Sequence, residues 1–236
     1  MKIAILAGDG IGPEVMDEAH KVLETVAGKF GHRFEYLYGL IGGEAFEAYG
    51  QHFPDKTAEI CAEAEAILFG SVGGPVEKMH EAKWKNCEIN SILALRKRFG
   101  FNVNLRPVKV YPGLDCVLRA DIVEKGIDIL CVRELGGGIY FGEHRTEGDR
   151  AWDVMEYDRE TIEKVAHAAF KAAMKRGKKV SSVDKANVLD CSKLWRKVVS
   201  EVGLRYPDCE LEHVLVDNMA MQVLKRPFDF DVILCP

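Results

Sequence analysis

Two hydrophobic rhythms alternate along this chain. Residues 2–7 form an apolar run of strand length, read as a buried strand. Residues 13–27 follow with apolar positions at helical spacing (Val15, Ala19, Val22, Leu23, Val26), and Pro13 suits the first turn. Residues 33–38 alternate, 58–64 return to the helical pattern, and 66–69 give a short strand that stops at Gly70. A short helix is predicted over 89–98, an extended run over 103–110 and a buried strand over 127–132. The second half continues with helices over 159–175, 190–202 and 218–224, and with strands over 179–183, 210–216 and 229–234. Strands that alternate with helices predict a layered α/β fold with parallel sheet content. Residues 136–158 break the rhythm. Gly136-Gly137-Gly138, the segment IYFGEHR, a charged turn at Glu147-Gly148-Asp149 and the run 151–157 read as a β-hairpin or arm.

Composition excludes some classes. With 47% hydrophobic and 29% charged residues, the 236-residue chain has enough apolar side chains for a large core. The formal net charge is −5 and the charges are interspersed, so no basic stripe points to nucleic acid. No apolar run reaches the ~18 residues that span a bilayer. Gly8-Asp9-Gly10 interrupts the N-terminal run too early for a secretory leader. Seven cysteines, at 61, 87, 116, 131, 191, 209 and 235, include no C-x-x-C pair. Most lie in apolar runs, where Cys behaves as a small buried hydrophobe, and the pattern predicts a reducing cytoplasm with neither disulfides nor zinc.

The candidate chemistry begins at GDGIGPE (8–14), between a strand and a helix. It is an incomplete dinucleotide-loop fingerprint, and a tight turn that needs glycine is the competing reading. Asp17-Glu18-Ala19-His20 spells a helicase box, but no phosphate-binding loop accompanies it and chance explains it better. Arg96, Arg106 and Arg133 each end an apolar run, where a guanidinium fork could grip a carboxylate; surface salt bridging is the bland alternative. Tyr140 follows the glycine run, and Lys185 follows a buried strand, where partial desolvation suits a general base. Asp217, at a strand end, is either a hard-cation ligand or a helix N-cap.

In a single order over nearly the whole chain stand GDGIGPE, LFGSVGGP, LALRK, NLRPVKVYPGL, GIDILCVRELGGGIYFG, VSSVDKANVLDCSKLWRKVV, YPDCELEHVLVDNMAMQ and FDVI. Together they resemble the isocitrate/isopropylmalate family of β-decarboxylating 2-hydroxy-acid dehydrogenases. The resemblance implies a two-domain fold, with residues 1–101 as an incomplete large (cofactor) domain and 102–236 as the small domain. The arm at 136–158 would interlock two subunits of a homodimer. The implied activity is oxidative decarboxylation of 3-isopropylmalate with NAD⁺, a step of leucine biosynthesis. Arg96, Arg106 and Arg133 are implied as the clamp on the malate carboxylates. Lys185 is implied as the base that helps remove the hydroxyl proton, and Tyr140 as the acid that protonates the enol. Asp217 is implied as one of three aspartates on Mg²⁺ or Mn²⁺. Ile11, Gly73, Gly74 and Asn187 resemble the contacts on the nicotinamide side of NAD. Lys185 and Asp217 are implied to act in the partner subunit's site.

Ile92, four residues before Arg96, and Leu93 form an apolar wall that suits an isopropyl group and leaves a third carboxylate unpaired. Asn90 and Ser91 add polar contacts, which keep tartrate, malate, isocitrate and homoisocitrate open as substrates. The family continues beyond FDVI with two more metal aspartates and an adenosine-binding loop. The resemblance therefore implies a site left incomplete by these residues, with a non-catalytic fragment that only dimerises as the alternative. One aspartate of three should hold a divalent cation poorly. The expected outcome for a purified polypeptide of these residues alone is little or no NAD⁺ reduction with isopropylmalate and Mn²⁺. Measurable NADH formation would overturn that expectation.

Overall fold

β1 (Lys2–Gly8) runs between two parallel neighbours, β2 (Glu35–Tyr38) and β3 (Ala66–Ser71), which explains its unbroken apolar run: both of its faces are covered. The structure, a computed structural model, describes residues 1–111 and 117–236; Pro112-Gly113-Leu114 of the YPGL motif and Cys116 lie outside the described residues. The chain divides into two compact units, Met1–Phe99 and Gly100–Pro236.

In the first unit, Ile3 and Ile5 pack with Met16 of α1 (Gly12–Phe30) on one face of the sheet. Ala4 and Leu6 pack on the other with Ile41, with Cys61 of α3 (Asp55–Glu63) and with Leu95 of α4 (Ala94–Phe99). The short α2 (Gly43–Tyr49) lies between β2 and α3. It was not predicted, because seven residues are too few to show a helical period. The helix predicted over 89–98 starts differently from the expectation: Ile89–Leu93 is a π-helical turn that leads into α4. Two of the glycines of GDGIG, Gly8 and Gly12, serve close packing. Gly8 holds φ +72°, and a Cβ on Gly12 would overlap the Ala7 carbonyl.

The second unit is built on a five-stranded sheet. β4 (Val103–Lys109) is its antiparallel edge, followed by the one-turn α5 (Ala120–Val123) and by β5 (Asp128–Glu134). β6 (His144–Glu147) and β7 (Arg150–Asp153) form a separate antiparallel hairpin with Glu147 opposite Arg150, so Gly148-Asp149 is the turn. Then come α6 (Arg159–Ala173), β8 (Lys179–Asp184), α7 (Asp190–Gly203), β9 (Glu210–Leu215), α8 (Val216–Lys225) and β10 (Val232–Cys235). The strand order is β4-β5-β10-β8-β9, with β5, β10, β8 and β9 mutually parallel. A turn of 3₁₀ helix at Pro227–Asp229 delays the start of β10 relative to the strand predicted over 229–234.

Alternate residues of these strands build two cores. Val132, Val180, Val232 and Leu234 face α6 and α7, where Phe170 and Trp195 are fully buried. Ile129, Val183 and Ile233 face the other way, with Met219 of α8. Asp158 caps α6 by accepting from the Thr161 N–H at 2.7 Å. The expectation that most cysteines are buried holds only in part: Cys61 and Cys87 are buried, while 131, 191, 209 and 235 are half-buried. Phe170→Ala should destabilise the protein by about 3–5 kcal/mol, because it opens a cavity between α6 and the sheet; urea unfolding monitored by circular dichroism measures it.

Candidate active site

β4 and β5 present two guanidinium groups on one face. In their antiparallel register Arg106 opposes Cys131 and Asn104 opposes Arg133, so Arg106 and Arg133 are diagonal neighbours on the side that carries Met219. Arg106 is exposed, and its Nε donates to Asn104 Oδ1 at 3.0 Å. Arg133 is half-buried and lies 5.6 Å from the centroid of the Tyr140 ring, a cation–π contact. Among the described residues neither arginine has a carboxylate partner of its own, so the bland reading of surface salt bridging does not describe this pair. The Tyr140 ring is half exposed.

Two strands along the sheet, Lys185 follows directly on β8 and Asp217 lies in the first turn of α8, just past β9. Lys185 Nζ donates to Asp217 Oδ1 at 2.5 Å, which holds the Asp217 carboxyl below its ordinary range. The N-cap reading of Asp217 is corrected: Leu215 occupies the cap position, and the aspartate turns to the lysine. The Arg133–Tyr140 and Lys185–Asp217 patches share the C-terminal end of the parallel strands. β10 runs between β5 and β8, so the two backbones are about 10 Å apart. Asn187 is exposed in the turn after Lys185.

In the first unit, Arg96 is half-buried on α4, with Ile92 and Leu93 half-buried in the π-helical turn before it. Ser91 departs from expectation. It is fully buried and its hydroxyl donates to the Cys87 carbonyl within the helix, so it is not available to a ligand. Asn90 instead lines an open cavity of about 560 Å³ with Phe46, His52 and Lys85. Ile11 is exposed at the start of α1. The Gly73 N–H donates to Asp9 Oδ2 at 3.1 Å, and Trp84 packs directly on Gly74.

Four residues that sequence reasoning passed over hold these loops. Asp9, buried, accepts from the N–H groups of Gly43, Glu44 and Gly73 at 2.8, 3.0 and 3.1 Å. Glu134, buried at the end of β5, accepts from the Gly136 and Gly137 N–H groups; burial raises its proton affinity against the pull of those donors. Asp184, buried at the end of β8, is gripped by both arms of the Arg196 guanidinium. The available signal was an acidic residue right after an apolar run and before a turn segment, as in LAGD, VREL and SSVD. A contact set by parallel register left no such signal. The Cys235 thiol hydrogen-bonds Cys131 and holds it below the ordinary thiol range against burial, with Arg106 adding to the effect.

No group of three or more His, Cys, Asp or Glu side chains gathers for a metal ion among the described residues. Asp217 alone, already paired with Lys185, does not make a divalent-cation site. In the first unit Ile11 is exposed, whereas Gly73 and Gly74 are already engaged by Asp9 and Trp84. Among the described residues no helix is long and apolar enough to cross a membrane.

A family model described as isocitrate/isopropylmalate dehydrogenase matches residues 2–236. A 3-isopropylmalate dehydrogenase of Thermotoga maritima is 51% identical over 243 residues, covering 99% of this chain and 67% of the relative. The Escherichia coli enzyme of the same name is 49% identical over 246 residues, covering 99% and 66%. Among solved structures, a Thermus thermophilus protein superposes with a TM-score of 0.86 at 29% identity, covering 99% of this chain and 45% of that one. An isocitrate dehydrogenase from Methylococcus capsulatus gives 0.84 at 28% identity, covering 99% and 66%. The chain spans about two thirds of the length of the curated relatives and under half of the Thermus chain. With its motifs, its two α/β units and a match from residue 2 to residue 236, the chain belongs to the isocitrate/isopropylmalate dehydrogenase family.

Proposed function

We propose that the protein is a cytoplasmic NAD-dependent dehydrogenase that oxidises and decarboxylates 3-isopropylmalate, the activity named for its relatives at about half identity. The observation that carries this reading is the pairing of Arg106 and Arg133 on one sheet face with Tyr140 against the second guanidinium. Two cations with no carboxylate partner among the described residues fit a dianion, and the phenol beside them is a proton donor. In the first unit, Arg96 with Ile92 and Leu93 one turn before it supplies a cation beside an apolar surface, which matches a carboxylate and a branched alkyl group.

Each proton then has a carrier. Once its ammonium proton has passed to the Asp217 carboxylate beside it, Lys185 takes the hydroxyl proton while the C2 hydrogen departs as hydride, which NAD⁺ accepts when bound. The resulting C2 carbonyl lets the β-carboxylate leave as CO₂, its electron pair forming the enolate. Tyr140 returns a proton to C3, giving 4-methyl-2-oxopentanoate. Mg²⁺ or Mn²⁺ would need carboxylates beyond Asp217 that the described residues do not supply.

We infer a homodimer as part of the same reading. The hairpin β6–β7 stands apart from the larger sheet, and a lone two-stranded hairpin is marginal in water, so a second copy would stabilise it. Val216, Met221 and Leu224 of α8 add exposed apolar surface for such a contact. This makes 136–158 the arm, with Gly100–Pro236 as the small domain and Met1–Phe99 as part of the cofactor domain.

In the protein as its gene encodes it, NADH formation should be far faster with isopropylmalate than with isocitrate, malate or tartrate. Equal rates with all four would overturn the substrate assignment. Lys185→Met and Tyr140→Phe should each lower kcat by about 10²–10⁴-fold, the usual worth of a general acid or base, with KM for NAD⁺ unchanged. Wild-type rates in both variants would end the proposed roles.

A further inference from the structure

The best-buried charge in the second unit is a carboxylate that the proposed chemistry does not use. Asp184 ends β8, and its side chain is 0% exposed. Arg196, on α7, donates to it twice, Nε to Oδ2 at 2.9 Å and Nη2 to Oδ1 at 2.8 Å. This is the fork geometry in which guanidinium binds carboxylate most strongly and most directionally. Oδ1 also accepts from the Ala186 backbone N–H at 2.9 Å. The carboxylate therefore ties α7 to the turn that carries Lys185. The same turn closes on the Lys185 carbonyl, which accepts from the N–H groups of Val188 and Leu189 at 3.0 Å each. From the residue just before Arg196, the Trp195 indole donates to Ser182 Oγ at 3.1 Å, a second tie between α7 and β8.

The consequence lies in alignment. Lys185 has a flexible four-carbon stem, and its own contact is the exposed carboxylate of Asp217. A pairing of that kind does little to fix a backbone. What fixes the Lys185 backbone is Asp184, and what fixes Asp184 in a buried position is Arg196. A buried carboxylate whose partner is removed would pull water or protonate, and either response releases the Ala186 N–H.

We propose that Arg196, acting through the buried carboxylate of Asp184, is a positioning residue that holds the Lys185 turn in register with the substrate hydroxyl. The proposal rests on the reading of Lys185 as the base. Arg196 reaches Lys185 only through Asp184, and its effect falls on the chemical step, since a displacement of about 1 Å can cost about 10²-fold in rate.

The test compares wild type, Arg196→Met and Arg196→Lys in the gene-encoded protein, using isopropylmalate with hydrogen or deuterium at C2. Arg196→Met is expected to lower kcat about 10²-fold, with KM for isopropylmalate within about threefold of wild type. The deuterium isotope effect on kcat should rise, because a misaligned base makes hydride transfer more rate-limiting. Arg196→Lys keeps the charge but loses the fork, so it should fall between the two. If Arg196→Met does not fold, Arg196→Lys carries the test, with a lowered kcat and a raised isotope effect still expected. A variant that merely lost folded protein would show a lower apparent kcat with an unchanged isotope effect, and that result overturns the proposal. Absence of turnover in wild type would sink the functional reading itself. Wild-type turnover with unaltered variants would sink only the role of Arg196.

Discussion

Three buried carboxylates at the ends of parallel strands hold the functional loops of this protein. Asp9 follows β1, Glu134 ends β5 and Asp184 ends β8. Each accepts N–H groups from segments at the strand ends: Gly43 and Glu44 after β2 and Gly73 after β3 for the first, and Gly136 and Gly137, and Ala186, just beyond their own strands for the second and third. A backbone N–H out of reach of water costs free energy unless it finds an acceptor, and a buried carboxylate costs more unless it finds donors. Each side of the contact thus makes the other tolerable. The outcome is four irregular segments with defined geometry where loops alone would wander.

The placement of these contacts follows from the layered architecture. Parallel strands point their C-terminal ends in one direction, and loops that leave those ends are where α/β folds gather ligands. In the second unit, α6 and α7 cover one face of the sheet with a dense core that includes Phe170 and Trp195. That core gives β5 and β8 rigid ends. Arg133, Tyr140, Lys185 and Asp217 all project from this one margin, so small movements of the strand ends would be felt by every one of them.

The Asp184–Arg196 pair shows why a burial cost can be retained. A hydrophobic pair of similar volume would cost less to bury, and ion pairs of this type are weak evidence for stability. Their directionality is another matter. Two hydrogen bonds to one carboxylate define its plane, and the third bond, from Ala186, inherits that orientation. Glu134 does comparable work for the glycine run ahead of Tyr140, with backbone donors in place of a guanidinium.

Much of this was legible in the chain. Apolar periodicity reports which residues must leave water, so β1, α1, β5, α6, β8 and α7 stood out, as did the turn at Glu147-Gly148-Asp149. Residue type and motif order singled out Arg106, Arg133, Tyr140, Lys185 and Asp217 as chemically interesting. Periodicity carries no information on who meets whom across a sheet. That Arg106 and Arg133 share a face depends on the β4–β5 register, and the Cys131–Cys235 contact on a parallel pairing between strands a hundred residues apart. Ser91 looked like a polar contact until helix geometry turned its hydroxyl onto the Cys87 carbonyl, and Asp217 looked like a cap until the end of β9 brought it to Lys185. The sequence by itself determined which groups exist and which segments bury themselves. Only the tertiary structure decided their partners, because hydrogen bonds and ion pairs act over a few ångströms and join residues that the chain order keeps apart.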